Sequence, residues 1–335
     1  MYSYISHISQ EFKSEDFLKF VQQNGFEETV EEEYKTILRK PMGGMFKESQ
    51  KSENVPLNRI RYPNCFDHSR VVLPVEKERG DYINGNYVDG YNQTKKFICM
   101  QAPMHHTNYD LWRTVWMNHS RIIVMLCEKT AFNRKIYDAY WCHMKGTLKC
   151  GKFEVQTKKI EVQQNYVKST LEVTDGTGAS QEVLHFAFTT WPDMDLPATV
   201  DDFLDFVLAV RRDNEIIKKR LTQEGCQFHN PSIIVHSEMG VNRSGVFCAI
   251  EIEISRFNET GLISLASTVT RIREQRHNAV SRFTSYIFCY KVLAKYVSTV
   301  GPPNENSLKL VGSYFLPLFK NSAVSNFFSS RHGES

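Results

Sequence analysis

Apolar residues recur along this chain in three different rhythms. From Glu11 to about Lys40, Phe17, Leu18, Phe20 and Val21 stand among dense charge, which predicts amphipathic helices packed on a larger body. Pro56 to Pro63 reads as a loop. Between Val71 and Val173 the rhythm becomes one of short β runs, such as Arg121 to Leu126 and the alternating Phe153, Glu154 and Val155. One helical stretch, carrying Leu111, Trp112, Val115 and Trp116, interrupts them. After Pro197 helices dominate: Leu265, Val269 and Ile272 fall at helical spacing, and so do Phe283, Tyr286, Ile287 and Tyr290. Helices that must bury such stripes pack against the sheet, so the expected class is α/β. Gly301, Pro302 and Pro303 close the body, and the tail to Ser335 sets Phe315, Phe319, Phe327 and Phe328 among Ser and Asn. That tail is expected either to dock through its aromatics or to be disordered.

The run richest in chemistry is Val235-His236-Ser237-Glu238-Met239-Gly240-Val241-Asn242-Arg243-Ser244-Gly245. Ile233, Ile234 and Val235 predict a buried strand, and from Gly245 the pattern turns helical, with Val246, Phe247, Ala249 and Ile250 apolar. The loop between them therefore sits at a helix N-terminus. There the unpaired backbone N–H groups and the helix dipole favour a dianion, and Arg243 can add a forked guanidinium. Ser237, Glu238, Met239, Gly240, Val241, Asn242, Arg243 and Ser244 are the expected phosphate-binding positions.

This run resembles the His-Cys-x5-Arg-Ser/Thr signature of protein tyrosine phosphatases, with Ser237 in the nucleophile's place. Further segments resemble that family in its order: Asn58-Arg59, Asp67-His68-Ser69-Arg70-Val71, Asp81-Tyr82-Ile83-Asn84-Gly85-Asn86-Tyr87, Gln101-Ala102-Pro103, Leu111-Trp112-Arg113, Tyr140-Trp141 and Trp191-Pro192-Asp193. The resemblance covers roughly residues 15 to 298 and extends, within the family, to the phosphatase-like proteins of parasitoid-wasp bracoviruses. It implies a single α/β domain over 15–298 with a highly twisted mixed sheet flanked by helices, an N-terminal arm over 1–14 and a tail over 299–335. It also implies roles: Ser237 at the nucleophile, Asp193 at the general acid and Arg243 at the phosphate.

Several of those positions depart from the family pattern. A thiol's pKa of ~8.5 falls beside a helix N-terminus, whereas a serine hydroxyl needs an adjacent general base, and the loop offers only Glu238. Ser281 and Ser285 stand where the resemblance implies glutamines that steer water, and both are too short for that task. Ile60 stands where a tyrosine would wall the aromatic ring, a loss of roughly 0.5–1.5 kcal/mol in ring recognition. Met194 and Asp195 follow Asp193 where histidine and glycine are usual. The plain alternative for this segment is that Trp191 plugs a core and Asp193 caps a turn. A serine-hydrolase elbow does not fit, because Val235 stands where that motif needs glycine.

The expectation is thus a catalytically inactive relative, a pseudophosphatase that binds phosphotyrosine proteins or other signalling partners. The rival is an active phosphatase whose nucleophile was changed from Cys to Ser. Composition narrows this little: 335 residues at net charge +3 do not argue for nucleic acid, and no long apolar run or secretion signal is present. A cytoplasmic protein, in a host cell if viral, is expected, without cofactor, metal or membrane span. Its eight cysteines lack metal-ligand spacing and read as free thiols or small core residues.

Overall fold

The computed structural model describes residues 10–59, 65–77, 79–126, 139–192, 196–197 and 199–301. Ile60, Asp193 and the tail beyond residue 301 lie outside the described residues. The described residues begin with β1 (Phe12–Lys13), α1 (Ser14–Gln22), α2 (Phe26–Arg39) and a single turn, α3 (Lys47–Gln50). Next come β2 (Arg70–Val72), β3 (Tyr82–Val88), β4 (Phe97–Gln101), α4 (Asn108–Met117) and β5 (Ile122–Leu126). Four strands follow in succession, β6 (Gly146–Cys150), β7 (Phe153–Val162), β8 (Tyr166–Thr174) and β9 (Ser180–Phe188). The last third holds α5 (Val200–Gln223), β10 (Ile233–Ser237), α6 (Asn242–Thr260), β11 (Leu262–Ile263), α7 (Leu265–Gln275) and α8 (Phe283–Val300).

Among the described residues, nine strands form one twisted mixed sheet in the order β2-β3-β4-β10-β5-β9-β8-β7-β6. The inner four, β4, β10, β5 and β9, run parallel, and the flanking strands pair antiparallel. Side chains of the inner strands alternate between two cores. Ile233, Val235, Phe97, Cys99, Ile122 and Val124 join the core under α5, α6 and α8. Ile234, Ile98, Met100, Ile123 and Met125 join the one holding Trp112, Tyr140 and Trp141. Both faces being covered, β4, β5 and β10 are buried at every position, the condition under which a parallel sheet is stable.

Local chemistry sets the helix ends. Thr199 caps α5 by accepting from the Asp202 N–H at 3.1 Å, with Asp201 and Asp202 in the first turn. Gly261, at φ +72°, ends α6 by donating to the Phe257 carbonyl at 2.8 Å. Helix α6 starts at Asn242, earlier than the apolar pattern indicated, because the loop winds into it without a break: Gly245 N–H already bonds the Val241 carbonyl at 3.0 Å. The expected short β runs include strands of ten, nine and nine residues, β7 to β9. In β7 the pairing with β8 continues past the buried Phe153, Val155 and Thr157 into residues that are exposed or half-buried, where apolar alternation leaves no trace.

Ahead of the body, Phe12 pairs with Ile263 across β1 and β11, and Phe17, Phe20 and Phe26 surround the ring of Tyr290. Glu33 of α2 accepts from the hydroxyls of Tyr286 and Tyr290 at 2.6 and 2.7 Å, locking the N-terminal helices to α8. The seven cysteines among the described residues are free thiols. No helix among them is long and apolar enough to cross a membrane.

Phe247 of α6 is fully buried between the rings of Phe97 and Phe206, joining helix, sheet and α5. Phe247→Ala should therefore cost about 3–5 kcal/mol in urea unfolding. A loss below about 1 kcal/mol would show that this junction is not tightly packed.

Candidate oxyanion site at the end of the central strand

Strand β10 ends at Ser237, level with Gln101 of β4 and Leu126 of β5. The C-terminal ends of central parallel strands are where α/β sheets place ligands. Beyond Ser237 the chain turns through Glu238 to Val241 and enters α6. Gly240 makes this turn possible: its φ is +65°, and a Cβ there would lie 2.1 Å from the Met100 carbonyl oxygen. The Ser237 carbonyl is taken by Ala102 N–H at 2.8 Å and Gly240 N–H at 3.1 Å.

Two of the loop's other carbonyls are held from behind by Arg276, a residue the sequence did not single out. It is 2% exposed and donates through Nε to Gly240 O at 3.0 Å and through Nη2 to Met239 O at 3.1 Å. It also donates to Asn86 Oδ1 at 2.7 Å and Asn84 Oδ1 at 2.8 Å, so two asparagines of the Asp81–Tyr87 segment orient it. With the carbonyls satisfied, the backbone N–H groups of Glu238, Met239, Val241 and Asn242 have no acceptor among the described residues, and α6 has no side-chain cap. Such an array of free donors at a helix start is an anion cradle.

The loop walls a cavity of about 140 Å³ with Trp191, Ser281 and Arg282. That is room for an oxyanion and the end of its carrier, well below the roughly 300–1,000 Å³ of a drug-sized pocket. Arg243 lies almost buried beneath it, donating Nη2 to the Pro192 carbonyl at 2.9 Å, with its guanidinium 5.9 Å from the Trp191 ring centre. Trp191 is indeed a core plug, packed edge-on against Phe203 at 5.0 Å. The plug also fixes the guanidinium. A larger hollow of about 540 Å³ lies between β2, β3 and the end of α4, and shares no residue with the cradle.

At the floor, Ser237 Oγ is 3.0 Å from Ser244 Oγ, its one side-chain hydrogen bond among the described residues. Glu238 is exposed at the rim. His236 points to the opposite face, as strand alternation requires. Its Nε2 lies 2.6 Å from the Tyr140 hydroxyl, which is 2.7 Å from His185 Nε2. One phenol has a single proton to donate, so the two imidazoles take opposite tautomers. Burial, reinforced by the Arg59 charge, lowers the His236 pKa to about 3. Burial and the nearby His236 and His143 hold His185 well below the usual imidazole range too.

Asn58, Arg59, Gln101 and Asn84 also converge here. Asn58 Oδ1 accepts from Tyr82 Oη at 2.7 Å and Asn84 Nδ2 at 2.8 Å. Gln101 Oε1 accepts from Arg59 N–H at 3.0 Å. These contacts fix the segment that leads to Ile60. Ser281 and Ser285 both reach the loop: Ser281, just ahead of α8, lines the cavity, and Ser285, in its first turn, is buried and accepts from Asn242. No group of three metal-ligating side chains occurs among the described residues.

The family profile described as Protein-tyrosine phosphatase matches residues 54–295. Tyrosine phosphatase H2 of Microplitis demolitor bracovirus is 46% identical over 91% of this chain and 94% of its own length. Tyrosine phosphatase-like protein J1 of the same virus is 36% identical over 87% of this chain and 98% of its own. Tyrosine-protein phosphatase non-receptor type 9 of Homo sapiens is 30% identical over 81% of this chain and 47% of its own.

The buried histidine has a pH signature. Its folded pKa of about 3 lies below the ordinary 6.5, so as pH falls the unfolded chain takes up the proton first. Stability from its neutral burial is complete above about pH 6.5 and is lost between there and about pH 3, by up to about 1.4 kcal/mol per pH unit. His236→Gln should flatten the acid limb of urea-unfolding stability between pH 6 and pH 4 by about that slope. An unchanged slope would mean that the ring is protonated in the folded state.

Proposed function

Because the chain belongs to the protein tyrosine phosphatase family and carries a hydroxyl where that chemistry needs a thiolate, we propose that it is a pseudophosphatase. It acts by holding phosphotyrosine-containing proteins rather than by dephosphorylating them. The observation that carries this reading is the setting of Ser237. Its Oγ meets only another serine hydroxyl, with no base in hydrogen-bond reach among the described residues. An unactivated serine is a poor nucleophile even in a well-formed cradle. Asp193, at the general-acid position, then has no leaving group to protonate.

Binding is a different matter. Replacing a thiolate by a neutral hydroxyl removes a negative charge that would face the phosphate. Arg243 and the uncapped N–H groups remain to receive it. Glu238 at the rim and Ile60 in place of a stacking ring oppose tight binding, so the affinity is modest. The bracovirus origin of two relatives supports a setting in the cytoplasm of a host cell, where such a protein shields phosphotyrosine signalling partners from active phosphatases.

Steady-state phosphate release from a phosphotyrosine peptide should be undetectable. Ser237→Cys should release at most one equivalent of dephosphorylated peptide in a burst, with the phosphoryl group left on the thiol, because Ser281 and Ser285 cannot place the water that clears a phosphocysteine. Rapid multiple turnover by that variant would instead favour a working phosphatase with an altered nucleophile. In calorimetry the phosphorylated peptide should bind, Ile60→Tyr should tighten it, and Arg243→Met should weaken it about ten- to hundredfold, the worth of a charged hydrogen bond of roughly 1.5–3 kcal/mol. Equal affinity for phosphorylated and unphosphorylated peptide would refute the binding role.

A further inference from the structure

Asn242 is the first residue of α6, and both ends of its carboxamide are used on the same neighbour. Nδ2 donates to Ser285 Oγ at 2.9 Å, and Oδ1 accepts from the backbone N–H of Arg282 at 3.2 Å, the residue just before α8. Arg282 itself gives α8 no side-chain cap, so Asn242 supplies from another helix a bond that the start of α8 lacks. We propose that Asn242 is a positioning residue, a latch that ties the anion loop to the first turn of α8 and so sets where the wall formed by Ser281 and Arg282 stands.

Strain beside the latch gives it something to hold. Val280 has φ +50°, in the left-handed region that a β-branched residue avoids. Such a conformation persists only when its surroundings enforce it. Here Val280 N–H donates to Val241 O at 3.3 Å, the Tyr34 hydroxyl donates to Val280 O at 2.8 Å, and Gly245 allows the close approach, since a Cβ there would lie 2.6 Å from Val280 N. Asn242 fixes Arg282, two residues further on, and Ser285 beyond it. Freed of it, Val280 can relax, and Ser281 and Arg282 swing away from a cavity of only about 140 Å³. The short Ser285 is then no simple loss: the bridging carboxamide stands on the loop side of the gap instead of the helix side.

The inference rests on the reading that the cradle holds a phosphoryl group, and two readouts keep them separable. One is calorimetric affinity for a phosphotyrosine peptide. The other is amide hydrogen exchange over residues 238–245 and 279–286 without ligand. Asn242→Gly should weaken binding about tenfold and speed exchange in both segments, as should Ser285→Ala. Adding Ser285→Gln to Asn242→Gly moves the carboxamide across the gap and should restore both readouts to within about twofold, which a general loss of packing would not allow. Unchanged exchange in Asn242→Gly, or a double variant of normal melting temperature that recovers neither readout, would overturn the latch. If the unsubstituted protein ignores the peptide while Asn242→Gly still speeds exchange, the latch stands and the phosphate-holding reading falls.

Discussion

A loop can aim its N–H groups at an anion only if its carbonyls find partners on the other side, and here one buried guanidinium provides for the two at the turn. Arg276 takes Met239 O and Gly240 O, while Asn84 and Asn86 of β3 hold it in place. Without this backing, a buried turn would carry unpaired acceptors and would refold around them. The left-handed Gly240, the parallel strands that bring Met100 against it and the early start of α6 all serve the same geometry. None of it depends on the atom at position 237. The loop geometry is therefore complete around a serine, which is what the proposed capture without catalysis requires.

The floor of the site is correspondingly neutral. Ser237 and Ser244 share one hydrogen bond, and the histidine before them is engaged by Tyr140 on the far face of the sheet, held uncharged by burial. Strand alternation makes this division unavoidable: consecutive residues cannot face the same cavity, so His236 cannot serve the hydroxyl next to it. A carboxylate at 238 stands exposed at the rim, where water screens it. The positive side of the balance is concentrated in Arg243, fixed between the Pro192 carbonyl and the Trp191 ring.

Much of this was legible in the chain because it is local. A β-branched triplet, a glycine and a helical stripe placed the strand, turn and helix around Ser237 within a few residues. The Trp191 segment had a core reading and a site reading, and the ring turns out to plug the core while fixing Arg243. What was not legible joins distant residues through polar atoms that leave no period. Arg276 meets Asn84 and Asn86 about 190 positions away, and Tyr140 joins His185 to His236 across the sheet. Asn242 was read only as one of the phosphate-binding positions and Ser285 only as a departure from the family pattern, and nothing local showed that the two side chains bond each other. The latter half of β7 left no sign for a related reason, since its backbone pairing with β8 continues where its own side chains stop alternating.

The most direct test of capture without catalysis is phosphorus NMR of a phosphotyrosine peptide mixed with an equimolar amount of the protein and followed for days. A shifted, broadened phosphotyrosine resonance that persists without any inorganic phosphate signal, and that returns to its free position in Arg243→Met, is the expected result. A growing inorganic phosphate signal, or a resonance that the unsubstituted protein leaves unmoved at saturating concentration, would contradict it.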